Sequence, residues 1–193
     1  ARMPPSGYVS SNEAMDREVW CLVTGPPSCS PPPFMPLPLP LPPSGTVSLS
    51  AANPHSGTVF VNYEDPITPD RLSEYDAGAN VLTRLKALPA RFQADGLQVS
   101  QHTVRSADGE AVPYFVIHRK GLKLDGSTPT ILYGYGGFEI SLKPSYSATI
   151  GKLWLERGGA YAVANIRGGG EFGPRWHKAA LKTNRQRAYD DFI

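Results

Sequence analysis

The sequence predicts an α/β fold in the second half of the chain, with antiparallel β strands ahead of it. Between Thr128 and Gly173, two short apolar runs flank a segment of helical periodicity, and each run ends in a Gly-rich turn. Strand, helix and strand in so short a span imply a right-handed parallel crossover and hence an α/β sheet. Earlier in the chain, short β-like runs recur about every ten residues between turn signals, which is typical of small antiparallel strands.

The first 45 residues carry the least regular pattern. One strand is expected from Glu18 to Val23, after a polar stretch suited to a turn. From residue 26 to 43 the sequence is PPSCSPPPFMPLPLPLPP. Each proline lacks a backbone donor and fixes φ, so this stretch excludes both a helix and a central strand. It is a ligand for aromatic-lined grooves of the SH3 or WW kind, an irregular linker, or a mistranslated stretch that replaces ordinary sequence.

Four short β-like runs follow. They are separated by Asn-Pro, Pro-Asp and Asp-Ala-Gly turn signals, as expected of a meander. The spacing fits a sandwich or a propeller blade and does not choose between them. The runs are Thr46 to Leu49, Thr58 to Tyr63, Arg71 to Tyr75 and Val81 to Leu85.

A hairpin and the α/β unit complete the pattern. Leu97 to Val104 and Val112 to His118 are strands joined by a loop that contains Asp108-Gly109. The remaining elements are a strand at Pro129 to Tyr133, a helix carrying Tyr146, Ile150, Leu153 and Trp154 and stopped by Gly158-Gly159, a strand at Ala160 to Ile166, and a helix from Pro174 to Ile193.

Composition excludes several classes of function. The 19 Lys and Arg residues against 17 Asp and Glu residues give a formal charge of +2, and the basic residues are not massed together. We therefore expect neither nucleic-acid nor membrane partners, and no apolar run approaches the roughly 18 residues that span a bilayer. Cys21 and Cys29 are too few for a disulfide framework. Residues 1–20 lack a signal-peptide core, so we expect a cytoplasmic location, with the periplasm open for a longer protein.

Two motifs carry a specific resemblance. The sequences TILYGYGGFEISLKPSYS and AVANIRGGGEFGPRWHKAALK resemble the start of the catalytic domain of prolyl oligopeptidase family serine peptidases. The likeness is close over 88–193 and weaker over 58–88. The oligopeptidase B type is less similar, because its turn usually reads YGYGSY. The resemblance implies that residues 88–193 form the N-terminal portion of an α/β-hydrolase sheet, and that residues 1–87 are part of the last β-propeller blade with a Pro-rich insertion at 26–43.

The first Gly-rich turn is the candidate oxyanion site. In α/β-hydrolases the loop after the third strand donates to the oxyanion hole, and Gly134-Tyr135-Gly136-Gly137 occupies that position. A phenol can stabilise the negative oxygen of a tetrahedral intermediate. The resemblance assigns this role to Tyr135, and makes Phe138 part of the proline-accepting pocket. The alternative is that both are packing aromatics beside a turn.

The second Gly-rich turn is interpreted as a cleft loop made of Arg167, Gly168, Gly169, Gly170 and Glu171. Its G-x-G-x-x-G pattern also fits a dinucleotide site, with Asp190 as the ribose acid. That interpretation is disfavoured, since the segment around Asp190 is polar and helical rather than a strand end. Arg167 and Glu171 are expected to pair or to line the cleft, and an ordinary surface ion pair is the alternative.

The sequence contains no serine with glycine at both the −2 and +2 positions. We therefore expect the nucleophile, the acid and the histidine of the triad to lie beyond Ile193, in a longer protein. His55, His102, His118 and His177 have no metal-ligand spacing, and the resemblance implies no cofactor. It implies a monomeric serine peptidase that cleaves short peptides after proline through an acyl-enzyme, and the 193 residues alone are expected to be inactive. A non-catalytic, β-rich and Pro-rich interaction module is the alternative.

Overall fold

The computed structural model describes residues 39–42, 44–53, 55–123 and 125–193. Two units are present. One comprises the described residues up to Asp65 together with Pro69–Pro89, and the other comprises Pro66–Thr68 and Ala90–Ile193. The strand expected from Glu18 to Val23, and the Pro-rich segment apart from residues 39–42, lie outside the described residues. The interpretations of that segment stay predictions.

The first unit is a four-stranded antiparallel sheet in sequence order. Its strands are β1 (Thr46–Asn53), β2 (Thr58–Asp65), β3 (Thr68–Asp76) and β4 (Val81–Ala87). Strand β2 alternates strictly between buried and half-buried side chains, as a strand with one face on a core must. Val59, Val61 and Tyr75 form the centre of that core. The four expected strands are confirmed, and each is longer than the sequence pattern indicated.

The second unit contains four strands and three short helices. In chain order they are β5 (Leu97–Arg105), β6 (Ala111–Arg119), β7 (Thr130–Gly134), α1 (Ala148–Leu153), β8 (Ala160–Ala164), α2 (Gly173–Lys178) and α3 (Gln186–Asp190). The strand order is β5-β6-β8-β7. Strands β5 and β6 form the expected antiparallel hairpin. Strands β7 and β8 are parallel, which confirms the expected crossover. Within the described chain β7 is an edge strand.

Apolar clusters cover both faces of this sheet. Phe92, Leu97, Ile117 and Leu155 form one cluster, on the side of α1. Val112, Ala164 and Trp176 belong to the other, together with Ala188 of α3 and Ala180 of the turn after α2. Val112 and Ile117 are an odd number of residues apart on β6, so their side chains point to opposite faces. The layered α/β architecture that the sequence predicts is therefore present.

The C-terminal segment differs from the single helix expected over 174–193. Helix α2 ends at Lys178, a 3₁₀ turn occupies Lys182–Asn184, and α3 begins at Gln186. The break lies where Lys182 adopts a left-handed backbone, with φ of 51°. It allows Ala180 and Ala188 to become fully buried in the same cluster. Tertiary packing has overridden helix propensity here.

Candidate active site

The first Gly-rich turn begins where β7 ends. Gly136 has φ of 57°, and a Cβ there would lie 2.5 Å from the Ile166 side chain and 2.8 Å from the carbonyl oxygen of Arg167. Only glycine satisfies both the left-handed conformation and the close backbone approach. The turn is thus pressed against the chain that leaves β8. Tyr135, the residue before Gly136 in this turn, follows directly on the carboxyl end of the parallel strand β7.

Tyr135 and Phe138 lie together on the surface. Their rings are stacked with centroids 6.5 Å apart. Tyr135 is 39% exposed and Phe138 is 83% exposed. Within the described part of the chain, no residue is hydrogen-bonded to the Tyr135 hydroxyl. The phenol is therefore accessible and can donate to an external acceptor.

Two consecutive non-glycine residues in this turn have left-handed backbones. Phe138 has φ of 52° and Glu139 has φ of 57°. Each such residue costs on the order of 1–3 kcal/mol, and such strain clusters at ligand clamps and active sites. Local hydrogen bonds hold the conformation, including one from the Ile140 N–H to the Gly137 carbonyl at 3.0 Å.

The second Gly-rich turn packs against the first, backbone on backbone. Gly168 has φ of 100°, and a Cβ there would overlap the carbonyl oxygen of Gly136 and lie 2.9 Å from its carbon. A Cβ on Gly170 would overlap the carbonyl of Glu139 in the same way. The guanidinium of Arg185 also donates to the Gly136 carbonyl. The glycines of the second turn are what permit the two turns to touch.

His177 joins the two turns. Its Nδ1 lies 2.6 Å from the carbonyl oxygen of Gly168 and 3.1 Å from the backbone nitrogen of Glu139. One nitrogen cannot donate and accept in a single tautomer, and the shorter contact assigns the proton to Nδ1. The Glu139 N–H, which is directed at both His177 Nδ1 and the Gly168 carbonyl oxygen, then donates to the carbonyl oxygen, 3.4 Å away. This bridging position was not predicted from the sequence, where His177 was considered only for metal-ligand spacing.

Arg167 is the most heavily bonded side chain near the site. Its side chain is only 4% exposed, and the Asp191 side chain is fully buried. Nε and Nη2 donate to the Asp191 carboxylate over 2.6–3.1 Å. Nη1 and Nη2 donate to Asp108 at 2.6 and 3.0 Å. These bonds raise the pKa of Arg167, and the hydrogen bonds from Arg167 hold the pKa of Asp108 below its ordinary value.

Glu171 is buried on the other side of the second turn. Its Oε1 accepts from the Leu142 N–H at 2.9 Å and from Asn165 Nδ2 at 3.2 Å. Asn165 Nδ2 also donates to the Leu142 carbonyl at 2.8 Å. Among the described residues, Glu171 Oε2 and Asn165 Oδ1 have no hydrogen-bond partner. The buried amide and carboxylate therefore tie the chain after the first turn to the end of β8.

The structure corrects the expectations for the two charged residues of the second turn. Arg167 and Glu171 do not pair with each other, and neither side chain lies on the surface. The turn lies between the end of the sheet and the C-terminal helices, so each side chain finds partners inside the protein. Burial of an unpaired charge costs free energy, and the carboxylates of Asp108 and Asp191 avoid that cost by pairing with Arg167.

Sequence reasoning also missed the partners of Arg167. Asp108 had been interpreted only as a turn residue and Asp191 only as part of a helix. Both are distant from Arg167 along the chain, by 59 and 24 residues. No periodic pattern in the sequence links Arg167 to these two aspartates. The sequence offers only the general rule that a buried guanidinium needs carboxylate partners.

The described residues contain no group of three or more His, Cys, Asp or Glu side chains that could hold a metal ion. In that same part of the chain, no helix is long and apolar enough to cross a membrane. The site as described offers a hydrogen-bond donor, an exposed aromatic surface and a rigid backbone support. These features suit the stabilisation of an anion next to an apolar group.

Comparison with known proteins gives three concordant findings. The sequence profile described as "Prolyl oligopeptidase family" matches residues 144–193. An uncharacterized peptidase of Sinorhizobium fredii is 56% identical over 154 residues, which is 80% of this chain and 21% of that protein. A prolyl endopeptidase of Elizabethkingia meningoseptica is 37% identical over 79% of this chain and 22% of its own length.

A solved structure agrees with these sequence matches. A prolyl endopeptidase superposes with a TM-score of 0.71 at 36% identity, over 80% of this chain and 23% of that chain. The chain thus spans about a fifth of the length of the curated relatives that it matches. The fold of the two units is that of the segment where a β-propeller is followed by an α/β-hydrolase sheet.

Proposed function

Because this chain belongs to the prolyl oligopeptidase family of serine peptidases, we propose that its full-length protein cleaves short peptides on the carboxyl side of proline. Cleavage would proceed through an acyl-enzyme formed on a serine activated by histidine. Residues 1–87 are assigned to part of a propeller blade and residues 88–193 to the first portion of the catalytic domain. The relatives' names support the reaction class, since one is called a prolyl endopeptidase.

In this proposal Tyr135 donates the phenolic proton that holds the oxyanion. The supporting observation is its place: an accessible hydroxyl with no partner among the described residues, at the carboxyl end of a parallel strand. A preorganised donor lowers the barrier because it stabilises charge that develops only in the transition state. Phe138, whose ring is stacked on Tyr135, would supply an apolar wall for the proline ring.

The cleft-loop role proposed for residues 167–171 is carried by their backbone. Their two charged side chains are buried, so the loop contributes shape and support rather than charged contacts to a peptide. The 193 residues contain no Gly-x-Ser-x-Gly sequence. An oxyanion donor without a nucleophile and base does not turn over substrate, so we expect no hydrolysis of a chromogenic Gly-Pro substrate by this chain alone. Turnover above the buffer rate would contradict that expectation.

A graft tests the catalytic role directly. The segment of the Elizabethkingia meningoseptica prolyl endopeptidase that matches this chain is replaced by the corresponding residues of this chain, giving the grafted enzyme. We expect it to cleave a Gly-Pro substrate and to discriminate against Gly-Ala. Tyr135→Phe should lower kcat by about 10²–10³ with a smaller change in KM, the usual effect of removing one oxyanion donor.

Tyr133→Phe is the matched control. Tyr133 lies two residues earlier, on β7, and is 44% exposed, so the change removes a similar hydroxyl from outside the turn. We expect it to leave kcat within about threefold, as for a surface change of no more than about 0.5 kcal/mol. A folded grafted enzyme in which Tyr135→Phe keeps full kcat would refute the assignment of Tyr135. A folded grafted enzyme without any turnover would favour a non-catalytic interaction module.

A further inference from the structure

The second Gly-rich turn is held by a carboxylate that binds the side chain and the main chain of one residue. Asp191 accepts from Nε and Nη2 of Arg167 and also, at 2.9 Å, from the backbone N–H of Arg167. Its side chain is fully buried and that of Arg167 nearly so. A planar fork bound by a carboxylate at several atoms has little rotational freedom. The direction in which the chain enters Gly168 is therefore fixed.

We propose that Arg167 and Asp191 are positioning residues for the oxyanion donor, a role that rests on the proposed peptidase function. They act through Gly168, which packs so closely on the Gly136 backbone that a Cβ would overlap the Gly136 carbonyl oxygen, and whose own carbonyl accepts from His177. No flexible side chain separates the two turns at this contact. A displacement of Gly168 is transmitted to Gly136 and so to Tyr135, and a shift of about 1 Å at a catalytic group is enough to reduce the rate by about 10²-fold.

Asp108 contributes less than Asp191 to the positioning of the second turn. Its side chain is 43% exposed, so solvent screens its attraction for Arg167. It contacts only the far side of the guanidinium and makes no bond to the Arg167 backbone. Asp108→Asn thus provides a matched control, in which one carboxylate partner of Arg167 loses its charge while the bond from Asp191 to the turn remains.

Simple removal of one charge from the buried pair would leave the other unpaired and could unfold the protein. The double variant Arg167→Met/Asp191→Leu avoids this, because it replaces both charges with apolar groups of similar size, a change that often preserves stability. It keeps apolar packing at both positions and removes the bonds of Asp191 to the turn, together with the bonds from Arg167 to Asp108 and Ser106; the loss of the Asp108 bonds is measured separately by Asp108→Asn. If the pair only stabilises the fold, this variant should behave like the parent chain. If the pair positions the turn, the first turn should become more mobile in the variant.

Amide hydrogen exchange of the 193-residue chain tests the proposal without catalysis. In the double variant we expect peptides covering Gly136 to Leu142 to exchange about tenfold faster or more, because local opening of the first turn becomes easier. The paired strands β5 and β6 should keep their exchange rate; the loop between them is not the reference, because Ser106 and Asp108 lose their bonds from Arg167 in this variant. Asp108→Asn should change the Gly136 to Leu142 rate by less than about threefold. Unchanged exchange in the first turn, or equal acceleration in strands β5 and β6, would overturn the proposal.

The same double change in the grafted enzyme links positioning to the reaction. We expect kcat to fall about 10-fold or more with KM nearly unchanged, because the donor is displaced while the rest of the peptide site is intact. A normal kcat beside faster exchange would refute the catalytic consequence and leave the peptidase proposal standing. If the unchanged grafted enzyme proves inactive, the proposed function fails, whereas the exchange experiment still decides whether Arg167 and Asp191 hold the turn.

Discussion

The contact between the two Gly-rich turns predicts a specific difference between two glycine substitutions. Gly168 and Gly158 both have left-handed backbones, with φ of 100° and 94°. A Cβ added at Gly158 meets nothing within 4 Å, whereas one added at Gly168 overlaps the Gly136 carbonyl oxygen and lies 3.0 Å from the Arg185 guanidinium. Gly158→Ala thus measures backbone strain alone, and Gly168→Ala measures the same strain plus the collision of the turns.

The backbone strain and the collision of the turns each contribute to the loss of stability. A left-handed alanine costs about 1–2 kcal/mol, so Gly158→Ala should lower the free energy of unfolding by that amount. Backbone atoms cannot move aside by changing rotamer, and overpacking adds about 1–3 kcal/mol. Gly168→Ala should therefore lower the free energy of unfolding by about 2–5 kcal/mol. At about 4–8 °C per kcal/mol for a unit of this size, the Tm of the second unit should fall by at least about 8 °C.

Urea unfolding followed by tryptophan fluorescence measures both changes. Of the three tryptophans, Trp154 and Trp176 lie in the second unit, and a Trp20→Phe background removes the third. Equal m-values in the parent and both variants would show that the free energies are comparable. If Gly168→Ala is no more destabilising than Gly158→Ala, within about 0.5 kcal/mol, the two turns do not support each other and the account of the site is wrong.

Three further changes test separate parts of the second unit. Leu155→Ala should lower the free energy of unfolding of the second unit by about 2–5 kcal/mol, because Leu155 is only 2% exposed. The control Leu153→Ala, at a position 55% exposed, should cost under about 0.5 kcal/mol. Equal losses of stability in urea unfolding would contradict the packing of Leu155. Ser147→Ala removes the N-cap of α1 and should cost about 1 kcal/mol, and no change in urea midpoint would exclude the cap. Bonds from Arg167 lower the pKa of Asp108 in the folded state, so the stability from this group is full above the ordinary Asp pKa and is lost as pH falls through the lowered value. Asp108→Asn should therefore flatten the decline in urea midpoint between about pH 5 and 2, and an equally steep decline would refute that linkage.

The elements that the sequence predicts well are those with a local cause. Strand β2 is evident because the run Thr58 to Tyr63 is rich in β-branched and aromatic residues and lies between turn signals. Val59, Val61 and Tyr63 of this run are buried. The parallel pairing of β7 and β8 followed from the short crossover between them. The helix break at Lys182 could not be predicted, because it depends on how Ala180 and Ala188 both reach the core, which no local pattern shows.

In the site, too, the features with a local cause are predicted and those that depend on tertiary contacts are not. The Gly-rich turn together with the family resemblance selects Tyr135 and Phe138, and both are accessible in the structure; their catalytic roles stay predictions. The burial of Arg167 could not be predicted, because its partners Asp108 and Asp191 are brought to it by the packing of the hairpin and of the C-terminal segment. Charge in a loop suggested a surface position, and tertiary structure buried it instead.

The most direct test of the central claim compares two ligands of the grafted enzyme. A peptide aldehyde ending in prolinal forms a tetrahedral adduct that carries an oxyanion, whereas the matching product, which ends in a proline carboxylate, does not. If the Tyr135 phenol stabilises the oxyanion, Tyr135→Phe should weaken inhibition by the aldehyde about 10²-fold or more and leave product inhibition within about threefold. Equal weakening of both ligands, or of neither, would contradict the claim.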